Sequence, residues 1–242
     1  MVYLPLVDLD TDLIHLASLE GFFALRTGRP ARPTLADAYG RLSVADGTDP
    51  LTFRVRKVVR ALGAPEERIG ASVAQQGLAA RLWSVALGAA VLYGQVPDLD
   101  ARLLRWDPDG SAPDDLWLSE VRPLPGDAAT VARLVVDSHL APLATALRAR
   151  HPVAEGLLWG NAASALAGAA RELQRWARAR GSAETARHAR VLAAELLGHP
   201  ALRDAGTLTG TRYRRRSCCL YYRVPGGGVC GDCCFDRPPG RT

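Results

Sequence analysis

Ser217-Cys218-Cys219-Leu220-Tyr221-Tyr222-Arg223-Val224-Pro225-Gly226-Gly227-Gly228-Val229-Cys230-Gly231-Asp232-Cys233-Cys234 contains all five cysteines of the 242-residue chain. Core cysteines would be scattered, so this clustering points to a metal or redox site. Two arms are visible. One is the adjacent pair Cys218 and Cys219. The other is the C-x-x-C arm Cys230-Gly231-Asp232-Cys233, whose glycine lets the backbone fold tightly around a metal. Ten residues separate the arms, and Pro225-Gly226-Gly227-Gly228 between them is a turn that brings them together.

Four thiolates gathered in this way suit zinc or an iron–sulfur cluster. Neighbouring Cα atoms lie ~3.8 Å apart, and successive side chains of extended backbone point to opposite sides. Structural zinc arms space their ligands roughly two to four residues apart. A direct Cys-Cys arm therefore fits one tetrahedral ion poorly, without excluding it. A two-iron cluster spreads four ligands over two metals and tolerates the splay better. Spacing alone leaves both open.

The whole pattern is Cys-Cys, ten residues, then Cys-x-x-Cys, with Arg-Arg shortly before it and Leu220-Tyr221-Tyr222-Arg223 directly after the first pair. It resembles the C-terminal cluster-binding segment of FhuF-like ferric-siderophore reductases. The resemblance is strongest over residues 207–235 and weaker over the helices from about 69 to 200. There Trp159-Gly160-Asn161 is similar to a Trp-x-Asn feature of that family's helical domain. The resemblance implies that Cys218, Cys219, Cys230 and Cys233 hold a [2Fe–2S] cluster. It further implies one-electron reduction of siderophore-bound Fe(III) to Fe(II), releasing iron in the cytoplasm, with no catalytic residue beyond the cluster. The implied partner is a ferric siderophore; independently of the resemblance, the lack of a nucleotide-binding motif points to an external electron donor such as a ferredoxin or flavin reductase. Nucleic acid is not among the partners, and there is room for peripheral membrane association. The spacing is unlike the plant-type ferredoxin run. Cys234 departs from the family, which more often carries another residue there; it is a spare thiol or a competitor of Cys233.

The net charge of +5 and pI near 9.2 invite a nucleic-acid reading. Lys57 is the only lysine, however, and the arginine-rich, alanine-rich bias looks like codon composition in a GC-rich genome. The exception is Arg212-Tyr213-Arg214-Arg215-Arg216, directly before the cysteines. It is either a solvated approach to a small domain or a positive surface for an anionic ligand or acidic donor. On the second reading Arg214, Arg215 and Arg216 attract the siderophore or donor, and Tyr221 and Tyr222 shield the cluster. Asn161, in an apolar helix, needs partners. It is a structural contact, or touches the siderophore or the cluster loop.

Helical periodicity and caps predict a mainly α protein with a small β-hairpin (α+β). Helices are expected over Thr11–Leu25, Leu51–Leu62, Glu66–Tyr93, Asp127–Arg150 with a kink or break at Pro142, Val153–Arg180 and Ser182–Leu197. The third is one helix, or two meeting near Gln76-Gly77, ended by Pro97. Strand-like runs near 103–119 form the hairpin, with Trp106 and Trp117 packing across it. Leu220–Val224 reads as a further short strand. The expected division is a helical siderophore-recognition domain, 1–206, and a cluster-binding segment, 207–242.

No apolar run approaches the ~18 residues of a membrane helix. The N-terminus lacks a basic region and meets acids at once, so a cytoplasmic location is expected. An odd cysteine count and no export signal argue against a disulfide framework. The five histidines show no ligand spacing, and no G-x-G-x-x-G, P-loop or G-x-S-x-G motif occurs. Two other readings stay open: a four-cysteine zinc module contacting nucleic acid, and a [2Fe–2S] electron carrier or redox sensor.

Overall fold

The computed structural model describes residues 19, 21–40 and 49–239. Its elements, in chain order, are β1 (Arg26–Thr27), α1 (Leu35–Tyr39), α2 (Pro50–Leu62), α3 (Glu67–Tyr93), β2 (Gln95–Pro97), β3 (Leu104–Trp106), β4 (Leu116–Leu118) and β5 (Pro123–Pro125). Then follow α4 (Ala128–Ala132), a π-helical segment (Arg133–Leu140), α5 (Ala141–Arg150), α6 (Glu155–Ala179), α7 (Ala183–Leu197), β6 (Gly206–Thr209) and β7 (Arg212–Arg215). The protein is mainly helical with a few short strands.

Helix α3 is the axis of the core. Its Ala, Leu and Val residues recur on every side, and nineteen of its residues are buried, from Ile69 to Val91. A helix apolar all round must be surrounded, and α2, α6 and α7 pack on it. Gly70 allows α2 to approach closely, because a Cβ there would stand 2.3 Å from Val59 Cγ2. Trp83 is core: it is fully buried and donates its indole N–H to the Ala162 carbonyl of α6 at 3.1 Å. Gln75 reaches the Leu158 carbonyl at 3.2 Å. Arg81 is buried against Asp115 at 3.0 Å and also donates to the Phe22 carbonyl, so one cation ties the β4 approach and residues 21–23 to α3.

Asp49 caps α2, with Pro50 at its first position and Gly63 at its left-handed C-terminal cap. Helix α3 runs through Gln76-Gly77 as one element and ends at Gly94 (φ 68°). Pro97 instead ends β2. The expected helix over Asp127–Arg150 is continuous in path but not in ladder. Proline cannot donate and crowds the carbonyl four residues back. Before Pro142 the hydrogen bonds slip by one residue into the π segment, where Ala141 N–H reaches Val136 O, and α5 then resumes.

The predicted hairpin is present as the antiparallel pair β3–β4, to which β1 adds a parallel edge. Its tryptophans do not meet. Trp106 opposes Leu116, and Trp117 opposes Arg105, so the register puts the two rings on opposite faces. Two further ladders, β2–β5 and the β6–β7 hairpin, carry no alternation long enough to be read from sequence. Of the expected helix Thr11–Leu25, residues 11–18 lie outside the described residues. Gly21–Phe23 is a single 3-10 turn, followed by extended chain. Leu220–Val224 is not a strand either: Tyr221–Arg223 forms a 3-10 turn.

Candidate metal centre and adjoining cleft

Strand β7 delivers the chain to the cysteines, and its alternation divides the basic run. Successive strand side chains face opposite ways, so Arg212 and Arg214 are exposed while Tyr213 and Arg215 are buried. Arg214 donates to the Cys234 carbonyl at 3.0 Å and pairs with Asp236 at 3.1 Å. Exposed Arg216 lies 3.8 Å from Asp204. Arg215, expected at the surface, is 2% exposed and donates to Asn161 Oδ1. It therefore cannot belong to a docking surface.

Asn161 is fully buried and links helices to cluster loop. Its Nδ2 donates to Ser72 O at 2.9 Å and Ser72 Oγ at 3.1 Å, and Ser72 Oγ donates to the Cys219 carbonyl at 2.8 Å. These bonds place Asn161 in a network that joins α6 to α3 and ends at the Cys219 carbonyl. Ser217 seats against α6 by donating to the Gly156 carbonyl at 2.8 Å. Gly160 makes the fit possible, since a Cβ there would stand 2.2 Å from Ser217 Oγ.

The five thiols converge. Cys219 Sγ lies 3.6 Å from Cys230 Sγ, and the sulfurs of Cys218, Cys233 and Cys234 lie within 4.8 Å of one another. Cys219 is buried and the other four half-buried. Backbone N–H groups point at sulfur, among them Leu220 N to Cys218 at 3.2 Å and Phe235 N to Cys233 at 3.4 Å. The first requires Leu220 to take a left-handed φ of 68°, the only non-glycine among the described residues to do so. Left-handed backbone costs an L-residue roughly 1–2 kcal/mol, a strain placed where it orients a donor on sulfur. Hydrogen bonding between Cys218 and Cys219 holds the former thiol below its ordinary range and pushes the latter up. The bond to Cys219 pushes Cys230 up as well. Crowded thiols resist joint ionisation, and metal ligation removes that conflict by binding them as thiolates. The donor set fits an iron–sulfur centre.

The C-x-x-C arm is anchored through its third residue. Buried Asp232 accepts from Ser164 at 2.7 Å and from Arg171 at 3.1 Å, both on α6. Its carbonyl accepts the Arg215 N–H at 3.0 Å. Tyr222 meets Phe235, the residue after Cys234, edge-on with centroids 5.9 Å apart; Tyr221 and Phe235 are both exposed.

Beside this arm opens a cleft of about 630 Å³. Phe22, Gln76 and Ala80 line it, with Gly168 and Arg171 of α6 and Cys230, Gly231 and Asp232 of the C-x-x-C arm. Sequence reasoning missed this cleft and the roles of Asp232, Ser164, Arg171 and Ser72. An acid inside a cysteine loop was the one available signal. Its partners came from a helix more than sixty residues earlier.

Comparison with known families agrees with this geometry. Residues 75–218 match the family model described as ferric iron reductase FhuF-like transporter, and residues 215–235 match the FhuF 2Fe-2S C-terminal domain. No curated protein matches the chain.

Proposed function

The chain belongs to the FhuF-like ferric iron reductase family, and on that footing we propose that it reduces siderophore-bound Fe(III) to Fe(II) in the cytoplasm. The observation that carries this reading is that Cys230 belongs both to the thiol cluster and to the lining of the 630 Å³ cleft. Pockets of this size hold drug-sized ligands, so a ferric chelate seated there lies against the thiol loop with no intervening layer of protein. The proposed ligands are Cys218, Cys219, Cys230 and Cys233, within a cluster-binding segment spanning 207–242. A [2Fe–2S] cluster, when bound, supplies one electron at a time.

The chain's own residues do three things. Asp232, Ser164 and Arg171 fix the C-x-x-C arm on α6, and Ser72 fixes Cys219 on α3. The Leu220 and Phe235 amides place donors on sulfur, a standard lever on cluster potential. Tyr222, edge-on to Phe235, is the proposed shield on one side. Arg214 and Arg216 stay the candidates for steering an anionic siderophore or an acidic donor, each weakened by its neighbouring acid.

Hard anionic oxygens hold Fe(III) far better than Fe(II), by the ligand matching that sorts other metal sites. One electron from an external donor, a ferredoxin or flavin reductase, is passed on to the ferric chelate, and the loosened Fe(II) leaves. Among the described residues no helix is long and apolar enough to cross a membrane.

The test is anaerobic absorption spectroscopy with iron, sulfide and zinc analysis, followed by mixing reduced protein with ferric siderophore and trapping Fe(II). Two irons and two sulfides per chain, with one Fe(II) trapped per reduced chain, are expected. A colourless zinc protein would sink the reading. A cluster that does not reoxidise with any ferric siderophore would leave an electron carrier or sensor.

A further inference from the structure

Arg215 is a cation without an anion. Its side chain is 2% exposed, and no carboxylate among the described residues lies within ion-pair distance. One nitrogen donates to the neutral Asn161 amide; Nε and Nη1 are buried with no hydrogen-bond partner. A buried charge left uncompensated strongly destabilises a fold, and arginine cannot shed its proton to escape. Something negative must answer it. The Asp232 carboxylate is taken by Ser164 and Arg171, and Arg215 is tied to both cysteine arms: its backbone N–H donates to Asp232 O inside the C-x-x-C arm, and its guanidinium connects through Asn161 and Ser72 to the Cys219 carbonyl.

We propose that Arg215 is the built-in counter-charge of the cluster, a positioning residue that raises its reduction potential from beneath. This rests on the reading that the thiols hold a [2Fe–2S] centre. Four thiolates and a two-iron core carry net negative charge, and the added electron deepens it. A fixed cation in a low-dielectric site favours the reduced state most. The strand alternation that hides Arg215 from solvent keeps its field from being screened. Asn161 holds the guanidinium by a neutral acceptor, which orients it without cancelling its charge.

The experiment is a redox titration followed by electron paramagnetic resonance, with iron and sulfide content, on full-length wild type and the variants R215Q, R215K and N161D. In R215Q the charge is lost, and the midpoint should fall by at least a tenfold shift in the reduction equilibrium, about 59 mV for one electron. N161D leaves the arginine in place but pairs it with a carboxylate, and should shift the midpoint in the same direction. R215K keeps the charge without the fork and should stay within that tenfold bound. Should R215Q hold no iron, a loaded R215K near the wild-type midpoint still supports the counter-charge. Loaded R215Q or N161D with the wild-type midpoint overturns it, as does an R215K that loses iron as completely as R215Q, which would mark a purely structural role. Wild type without two irons per chain would instead remove the cluster reading itself.

Discussion

Arg171 pairs with Asp232, Nη2 donating to Oδ2 at 3.1 Å while Nη1 lies 3.0 Å from Oδ1 without hydrogen-bonding geometry. The contact joins a long, well-packed helix to a segment that has almost no regular structure of its own. Charge-assisted pairs are strong where water is excluded, and Asp232 is nearly so. The C-x-x-C arm thus borrows its rigidity from α6.

Replacing Asp232 by Asn should loosen that arm. Removing one partner of a buried pair costs up to about 3–5 kcal/mol; the third of Arg171 that is exposed lowers the expectation to about 2 kcal/mol. Thermal unfolding and iron retained after gel filtration would report it. An unchanged melting temperature with full iron would show that Asp232 is not the anchor.

Gly168 sits inside α6, where an added Cβ would meet nothing but the tip of Arg171 at 3.9 Å. Glycine within a helix costs roughly 0.5–1 kcal/mol relative to alanine, and no close packing explains it here, unlike Gly160 and Gly70. Gly168→Ala should therefore stabilise the protein by about that amount. Gly168→Leu should fill part of the cleft, raising KM for a ferric siderophore by about tenfold or more, the scale of a few buried methylenes, while the cluster spectrum stays unchanged. Steady-state kinetics with a siderophore and with a small chelate such as Fe(III)–EDTA would separate a filled cleft from a damaged fold. Equal loss on both would count against the cleft.

Cys218, Cys233 and Cys234 put three sulfurs within 4.8 Å, one more than two arms of two require. Cys234→Ala should keep full iron. Cys233→Ala should keep most of it through Cys234, with altered resonance of the reduced protein, whereas Cys219→Ala should lose it. Iron and sulfide analysis decides the matter: a Cys233→Ala protein as empty as Cys219→Ala would show that Cys234 cannot substitute.

His139 is wholly buried, and burial lowers its pKa from 6.5 to about 4. Its Nε2 faces the Leu99 carbonyl, which can only accept, so Nδ1 accepts from Tyr39 Oη at 2.8 Å and the ring is neutral. The nearby Asp100 carboxylate opposes the shift only in part. The unfolded chain takes up the proton first on acidification. Stability is thus complete above pH 6.5 and falls between 6.5 and about 4, by ~3 kcal/mol if the whole shift is realised. Urea unfolding across that range should show the slope, and His139→Gln should flatten it whatever its absolute stability.

Much of this was legible from residues alone. The cap Asp49, the helix after it and the long α3 announce themselves through local chemistry, and the cysteine arms through their spacing. The failures share a cause. Whether Arg215 is surface or core depends on β7, a strand of four residues whose pairing with β6 has no signature beyond a Gly210 turn. The cleft and the Asp232 anchor join α6 to a loop about 60 residues later, and long-range partners leave no local trace. Tyr221 and Tyr222 looked like strand residues by type, but a left-handed Leu220 turns them into a 3-10 bend.

Ser164, Gly168 and Arg171 follow one another at intervals of four and three, so they form a single stripe along α6. Two anchors of the thiol loop and a lining residue of the cleft are therefore in phase on one face of the helix. That phase is a property of residue count rather than of residue type. One residue inserted between Ser164 and Gly168 would turn Arg171 and Gly168 together about 100° away from Ser164. Asp232 would then keep Ser164 or Arg171 but not both, and the thiol arm would lose its fixed seat beside the cleft.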